Sequence, residues 1–402
     1  MLLYSQVDSR DRLGFFVLCG ALFFLLPIMG IIAAMFFAIK TDNKQLILFL
    51  IVLLVLYLSA LNTTKVPKSD MVNYLEMFNS VPNNGFTNTL YYGTRGRGGA
   101  KDLGYTLLVY VLYHITFGNQ YMFIFIVSAI TFSFYFFSVY KFGVDNNLPV
   151  YLIVSELLVI AFFTQYFSLT FHLIRQELAT SLFFYALTFR VSSIKKFIVW
   201  SVVASTMHSG IIVMIFFSFL PFMGQELSIK RIIVLICLAL GFATLASKMG
   251  TFMLDNYELE GTAEYNVTRM AEMVGAQDRV QSTGLLYVFS VALLIFSSIE
   301  MIRNRGSVVY PLIVNLCFIW SVLVLGMAIS PLLQYRFYFM EFNFLPFVTF
   351  LLFRRNSQIL KAVCFCVVIF FIVRFYAILN HVFYYVPIEE ALCNPFFMLI
   401  NI

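Results

Sequence analysis

The stretch LILFLIVLLVLYLSAL, from Leu46 to Leu61, decides the fold class, because it runs for sixteen residues without a charge. As an α-helix it rises about 24 Å at 1.5 Å per residue. It is apolar on every side, which is typical of a helix that lies in lipid. Similar apolar runs recur along the whole chain. We predict helices at 15–39, 46–61, 121–140, 149–167, 177–191, 197–220, 231–249, 284–302, 308–329, 336–353 and 360–380.

The composition leads to the same fold class. Of the 402 residues, 61% are hydrophobic and only 11% are charged. A soluble domain has about 25% charged residues, and it cannot enclose so much apolar surface. We therefore predict an all-α polytopic membrane protein with about 11–12 transmembrane or re-entrant helices. It forms a single integral membrane domain over residues 1–402, and the run 15–39 is interpreted as a retained first helix.

The polar stretches 62–104 and 250–283 are too short to hold a core of their own and are predicted to be outer loops. This orientation follows from the basic residues of the short loops, which face the cytoplasm in membrane proteins. The number of membrane crossings places all these basic loops on the cytoplasmic side only if the runs 105–117 and 197–220 are re-entrant or broken helices. The alternative, twelve plain crossings, places the basic pair Lys195–Lys196 outside.

Polar side chains within apolar helices mark candidate sites, because they are costly in lipid. His172, Arg175 and Gln176 have the three- and four-residue spacing that predicts one helix face, at a predicted membrane boundary. The planar guanidinium of Arg175 suits a diphosphate. An arginine at a helix end that extends toward lipid headgroups accounts for the pattern equally well.

Three further positions are candidates. Asp70 and Tyr74 lie one helical turn apart, and a carboxylate there can act as a general base, although Asp70 also suits the N-terminal cap of a surface helix. His208 lies within an apolar run and needs a partner or a water-filled cavity; an interhelical hydrogen bond is the simpler reading. Arg336 is a second cation at a predicted outer boundary.

Four motifs follow one another between residues 60 and 215. They are a basic residue ahead of Asp-x-x-x-Tyr (Lys68, Asp70, Tyr74), an acid–x–Gly–aromatic group (Asp102-Leu103-Gly104-Tyr105), Arg-Gln-x-x-Ala (Arg175 to Ala179) and a run of small residues around His208 (Ala204 to Gly210). In this order they resemble the EpsG-like group of Wzy-type O-antigen and exopolysaccharide polymerases. Arg336 is a weaker match later in the chain. Lys68 stands where that group often has arginine.

The resemblance implies a membrane glycosyltransferase of GT-C architecture in the bacterial inner (cytoplasmic) membrane, with its active site facing the periplasm. Such polymerases transfer a growing glycan from undecaprenyl pyrophosphate to the terminal sugar of a lipid-linked repeat unit, in lipopolysaccharide or other polysaccharide biosynthesis. The expected partners are the undecaprenyl-pyrophosphate-linked oligosaccharide, membrane lipid and a chain-length-regulating co-polymerase. No metal, cofactor or nucleic acid is expected.

This chemistry needs cations for the departing diphosphate and a base or an orienting acceptor for the attacking hydroxyl. The first cation is expected to be Arg175 and the second Arg336. The expected substrate-binding residues are Arg175, Arg336, His172, Gln176 and Tyr74, and the expected catalytic residues are Asp70 and His208.

Other classes of membrane protein remain as alternatives. A flippase or transporter of lipid-linked glycans also has many helices and boundary arginines, but transporters often have internal repeats and polar residues near the membrane centre, and no such repeat is visible here. An O-antigen ligase usually has a large outer loop with a prominent histidine, and 250–283 contains no histidine. A purely structural membrane protein is the remaining alternative.

Overall fold

The computed structural model describes residues 9–68, 70–92, 102–256, 284–303, 311–329, 331–347, 358–379 and 384–400. These residues are 86% helical and contain no strand, which confirms the predicted all-α polytopic membrane class. Helices α1 to α9 are Ser9–Leu25, Pro27–Thr41, Lys44–Thr63, Asp70–Tyr92, Leu103–Ile115, Gln120–Asp145, Val150–Ala161, Thr164–His172 and Ile174–Leu187. Helices α10 to α18 are Ile194–Met207, Ile212–Phe219, Ile229–Asn256, Gly284–Arg303, Pro311–Gly326, Pro331–Glu341, Gln358–Leu379, Ile388–Cys393 and Phe397–Ile400. Short 3-10 helices lie at Ser209–Ile211, Met327–Ile329 and Phe342–Phe344.

Length and apolarity identify the helices that are able to cross a membrane. Within the described ranges, α3 and α6 meet both criteria on their own. Helices α7 and α8 meet them only as a pair, which is bent by 55° at the break between them. Several other apolar helices are 10–17 residues long, which is short for a full span of about 20 residues.

The most completely buried helices are α3, α7, α9 and α14. α3 is buried along most of its length and packs against α2, α6 and α7, while α9 packs against α6 and α10. In the second half of the chain, α14 packs against α12 and α13. The site described below lies where several of these helices begin or end.

The first predicted helix, 15–39, is two helices in the structure. Leu26 is extended (φ −146°), and Pro27 opens α2, where its missing N–H costs nothing. The two helices pack against each other, and a Cβ at Gly30 would lie 2.5 Å from Cα of Phe23. Glycine is therefore what allows α2 to fold back so closely on α1.

The two runs that the charge pattern required to be short or broken have that form. The run 105–117 corresponds to α5, which has 13 residues and rises about 20 Å. The run 197–220 is interrupted at His208, whose extended backbone (φ −156°, ψ 121°) separates α10 from the 3-10 helix.

The predicted outer loop 62–104 contains α4, which has a kink at Gly85 (φ +63°). Its remaining part, 93–101, lies outside the described residues, as does most of the second predicted loop, 257–283. The start of that loop continues α12.

The segment 384–400, which includes α17 and α18, returns to α3. The backbone N–H of Tyr385 donates a 2.8 Å hydrogen bond to the carbonyl of Thr64, within an isolated antiparallel bridge. The hydroxyl of Tyr57 donates to the carbonyl of Leu392 at 3.3 Å. Segment 384–400 therefore holds the link between α3 and α4 in place.

Candidate active site

Asp102 is the residue around which the site is built. It lies directly before α5 with φ +61°, a left-handed conformation that aspartate adopts more readily than most residues. Its Oδ2 accepts a 2.7 Å hydrogen bond from Nη1 of Arg175 and lies 3.5 Å from Nδ1 of His208. Its Oδ1 accepts a 3.0 Å hydrogen bond from the backbone N–H of Ser209. One buried carboxylate thus joins α5, α9 and the break after α10.

A glycine brings these elements together. Gly104, in the first turn of α5, faces Thr206 near the end of α10, and a Cβ at residue 104 would lie 2.3 Å from Oγ1 of Thr206. Any side chain at this position must push the two helices apart. The absence of a side chain is what allows Asp102 to reach His208 and Ser209.

Arg175 is held on two sides. It stands in the first turn of α9, after the break at Leu173 (φ −120°, ψ 48°). Its Nε donates to the hydroxyl of Tyr74 at 3.4 Å, and its guanidinium lies 5.3 Å and 6.0 Å from the ring centres of Tyr74 and Tyr105. The ion pair with Asp102 and the cation–π contacts fix the plane of the guanidinium.

His208 presents one ring nitrogen to Asp102 and the other to a glycine. Its side chain is mostly buried, and Nδ1 points to the carboxylate. A Cβ at Gly210 would lie 3.0 Å from Nε2. Glycine at residue 210 therefore allows the backbone to lie close to the imidazole, where a side chain would crowd Nε2.

The charges around Asp102 favour its ionised form. Asp102 precedes α5 and lies outside the membrane-spanning segments. Burial alone would raise its pKa, but the contact with His208, the charge of Arg175 and the backbone N–H of Ser209 together lower the pKa below its ordinary value. Asp102 is therefore a carboxylate at neutral pH.

Helix α15 joins the site through α9. Nε2 of Gln176 donates a 3.0 Å hydrogen bond to the carbonyl of Arg336. The half-buried side chain of Arg336 interacts electrostatically with Tyr74 and His208. A cation from the second half of the chain thus lies close to the Arg175–Asp102 pair.

Asp70 and His172 lie at the edge of this cluster, and both are half-buried. Nδ1 of His172 is 3.4 Å from the carbonyl of Lys68, which connects the end of α8 to the segment before α4. Asp70 begins α4 and interacts electrostatically with Tyr74 and His172. Lys68 itself is exposed.

The structure thus places all seven predicted site residues in or beside one cluster. It differs from the sequence prediction in one respect: α8 ends at His172 and α9 begins at Ile174, so His172 and Arg175 do not share one helix face. The prediction of a common face was wrong, because the break at Leu173 turns the chain.

Asp102, the central residue, was not among the predicted site residues. The sequence signal that could have found it is the acid–x–Gly–aromatic motif that it opens. An acidic residue at the edge of a polar loop is ordinary, so the motif alone did not distinguish Asp102 from a surface carboxylate.

The arrangement combines two chemical capacities. A histidine whose Nδ1 faces a carboxylate can accept a proton at Nε2. A rigid guanidinium, with a second arginine nearby, can bind a phosphate group. Within the part of the chain that the structure describes, no group of three or more His, Cys, Asp and Glu side chains has a metal-binding arrangement.

Comparisons with known proteins give one match. A sequence model of the EpsG family matches residues 45–389, a range that contains every residue of the cluster. Neither the search of curated proteins nor the search of solved structures found a match. Because the matched range covers most of its 402 residues, the chain belongs to the EpsG family.

Proposed function

We propose that this protein is a polysaccharide polymerase of the Wzy type, with a GT-C architecture, in the bacterial inner membrane. It transfers a growing glycan from undecaprenyl pyrophosphate to a lipid-linked repeat unit at the periplasmic face. A chain-length-regulating co-polymerase is its expected partner. Membership of the EpsG family supports the coarser part of this proposal, because the family suggests a polysaccharide polymerase-like function. The all-helical membrane fold agrees with lipid-linked substrates.

The observation that carries the proposal is the Arg175–Asp102 ion pair beside His208. In the proposed reaction, a hydroxyl of the acceptor sugar attacks C1 of the sugar at the reducing end of the growing glycan. A new glycosidic C–O bond forms, and the bond between C1 and the phosphate oxygen breaks. The electron pair of the broken bond leaves with undecaprenyl pyrophosphate. The reaction therefore needs positive charge at the diphosphate and a proton acceptor at the hydroxyl.

Arg175 is the proposed principal ligand of the diphosphate. Its side chain is 13% exposed, so part of the guanidinium can be reached, while the aromatic rings beneath it fix its plane. Preorganised cations stabilise the developing negative charge without a reorganisation cost. Arg336, linked to α9 through Gln176, is the proposed second cation.

His208 is the proposed proton acceptor. The carboxylate of Asp102 at Nδ1 favours the tautomer that carries its proton on Nδ1, which leaves Nε2 free to accept the proton of the acceptor hydroxyl. Because residue 210 is glycine, no side chain at this position crowds Nε2. Asp70, at the start of α4, is proposed to orient the acceptor sugar, since its half-buried carboxylate lies at the edge of the cluster.

The test is a glycan ladder. The gene is deleted in its host and restored with wild type, with Arg175→Ala or with Arg190→Ala, and the surface polysaccharide is separated by size. Arg190 is a matched control, because it follows the same helix α9 and donates to the carbonyl of Ser218 at 3.1 Å, away from Asp102. We expect wild type and Arg190→Ala to restore long chains, and Arg175→Ala at equal expression to leave single repeat units.

Two other outcomes would overturn the proposal. If deletion removes all surface glycan and traps lipid-linked units inside the cell, the protein is a flippase. If deletion leaves long chains on their lipid carrier but none on the final acceptor, the protein is a ligase. A normal ladder with Arg175→Ala would remove Arg175 from the mechanism.

A further inference from the structure

Lys65 is a buried cation that the proposed mechanism does not use. It follows α3 and is 2% exposed. Its Nζ donates to Oδ1 of Asn62 at 2.7 Å and to the carbonyl of Phe167 at 3.1 Å. It also lies 3.4 Å from the ring centre of Phe167 and 5.2 Å from that of Phe171. All of these contacts of Nζ with described residues are to neutral groups.

The surroundings of Nζ are arranged for an ammonium group. Burial lowers the pKa of Lys65 well below its ordinary value. Against this effect, an amide oxygen, a carbonyl and an aromatic face all accept hydrogen bonds at Nζ, and a neutral amine has only two N–H groups to donate. An ammonium has three donors and no acceptor. The three acceptors therefore favour the charged form.

The orientation of Asn62 supports this assignment. Its Nδ2 donates to Oγ of Ser128 at 3.0 Å and to Oγ1 of Thr170 at 3.2 Å. With both amide hydrogens used by α6 and α8, Oδ1 must point to Lys65. Ser128 and Thr170 thus prepare Asn62 as an acceptor, and the position is built for a cation.

The location of Lys65 relates this charge to the candidate site. Phe171, against which its ammonium lies, is followed by His172, and Lys65 interacts electrostatically with His172. Arg175 follows three residues later, beyond the break at Leu173, but its charge is offset by the carboxylate of Asp102. The Arg175–Asp102 pair is neutral as a unit, so the excess positive charge that an anion needs must come from other groups.

We propose that Lys65 supplies a buried, uncompensated positive charge that strengthens the binding of a diphosphate at Arg175, without touching the diphosphate itself. Lys65 is a positioning residue in this sense, since it acts through the electric field at the site. A buried charge acts over a longer distance than an exposed one, because the protein interior screens it less than water and salt do. This inference rests on the proposed function, which supplies the diphosphate.

The experiment measures binding of inorganic pyrophosphate to the purified full chain in detergent, by calorimetry at low salt and at about 1 M salt. Lys65→Gln retains a donor for the carbonyl of Phe167, and Lys65→Met retains the length of the side chain. We expect both variants to bind pyrophosphate about tenfold more weakly than wild type at either salt concentration. Lys65→Arg, which keeps the charge, should restore most of the affinity.

The matched control is Lys68→Gln, three residues away and exposed. We expect Lys68→Gln to weaken pyrophosphate binding less than Lys65→Gln does. The effect of Lys68→Gln should vanish at about 1 M salt, where the screening length is about 3 Å, while the effect of Lys65→Gln persists. Thermal unfolding separates affinity from folding: a purely structural role would lower the melting temperature and leave the affinity of the folded fraction unchanged. That result, or equal affinity of wild type and both neutral variants, would overturn the role of Lys65 alone. Failure of wild type to bind pyrophosphate would overturn the proposed function as well.

Discussion

Asp102 holds an arginine and a histidine with a single carboxylate, so the positions of the two are coupled. Oδ2 accepts a hydrogen bond from Arg175 and lies 3.5 Å from Nδ1 of His208, while Oδ1 accepts from the N–H of Ser209. The charge of Asp102 thereby fixes the orientation of Arg175, the proposed ligand of the diphosphate, and the tautomer of His208, the proposed base. A neutral side chain of the same shape at residue 102 would occupy the same space but would lose both effects of the charge.

Asp102→Asn tests this role. Asparagine can still accept from Ser209, but it has no charge for Arg175 and no preference for the proton on Nδ1 of His208. We expect polymerisation in proteoliposomes to fall about 100-fold. Asp145→Asn is the control, because Asp145 forms an exposed ion pair with Lys141, which contributes little to stability. Equal rates for wild type and Asp102→Asn would remove Asp102 from the site.

The lowered pKa of Asp102 also gives a pH dependence. A carboxyl group whose pKa is lower in the folded than in the unfolded state contributes stability that is complete above its ordinary pKa. That contribution is lost as the pH falls through the lowered value. On acidification below about pH 4, the melting temperature of wild type should therefore fall more than that of Asp102→Asn. Parallel curves for the two proteins would contradict the assignment.

At the residue scale, the sequence predicted those groups that are conspicuous in apolar surroundings. Arg175 and His208 interrupt long apolar runs, and such groups need a partner wherever they lie. Asp102 borders a polar loop, where its charge carries no such signal. Lys65 was hidden for the same reason, since a lysine just after a helix is normally solvated, and only the packing of α8 reveals that this one is buried.

At the scale of elements, the contact of α5 with α10 sets the site, and Gly104→Ala tests it. The new Cβ would lie 2.3 Å from Oγ1 of Thr206, and relief of the clash should cost about 1–3 kcal/mol and reduce polymerisation. Gly241→Ala in α12 is the control, since nothing lies within 4 Å of a Cβ there. Thermal unfolding and the glycan ladder provide the measurements.

A second-site change refines this test. Thr206→Ala removes Oγ1, the nearest atom, although Cβ of residue 206 would remain 2.8 Å away. Combined with Gly104→Ala, it should restore part of the lost polymerisation. If the loss of polymerisation in the double variant equals the sum of the losses in the two single variants, residues 104 and 206 are not energetically coupled through this contact.

Helices were predictable from apolar runs, whereas their breaks were less so. The turn at Pro27 lies within a run that is apolar on both sides, and the break at Leu173 has neither proline nor glycine to announce it. Tertiary packing overrides local preference at such points, because neighbouring helices provide the hydrogen bonds and contacts that a broken helix loses. The interruption at His208 was predictable from the sequence, because the charges of the short loops did not agree with a plain crossing by the run 197–220.

At the scale of the whole molecule, segment 384–400 stabilises the α3–α4 link, and Tyr385→Pro tests this. Proline has no N–H to donate, so the buried carbonyl of Thr64 would lose its partner at a cost of about 1–3 kcal/mol. We expect a lower melting temperature and weaker polymerisation, because Lys65 and Asp70 lie in or beside this link. Tyr385→Phe, which retains the N–H, should behave as wild type; equal behaviour of the proline variant would show that the hydrogen bond has no such effect.

The same hydrogen bond has a consequence for how the protein is made. Thr64 and Tyr385 are 385 − 64 = 321 residues apart, and ribosomes add about 5–20 residues per second. Between roughly 15 and 65 seconds thus separate the synthesis of the acceptor from that of its donor. Asp102, Arg175 and His208 are all translated well within this interval. The Arg175–Asp102 ion pair can therefore form early in synthesis, whereas the link that bears Lys65 gains this hydrogen bond only after α16 has been synthesised.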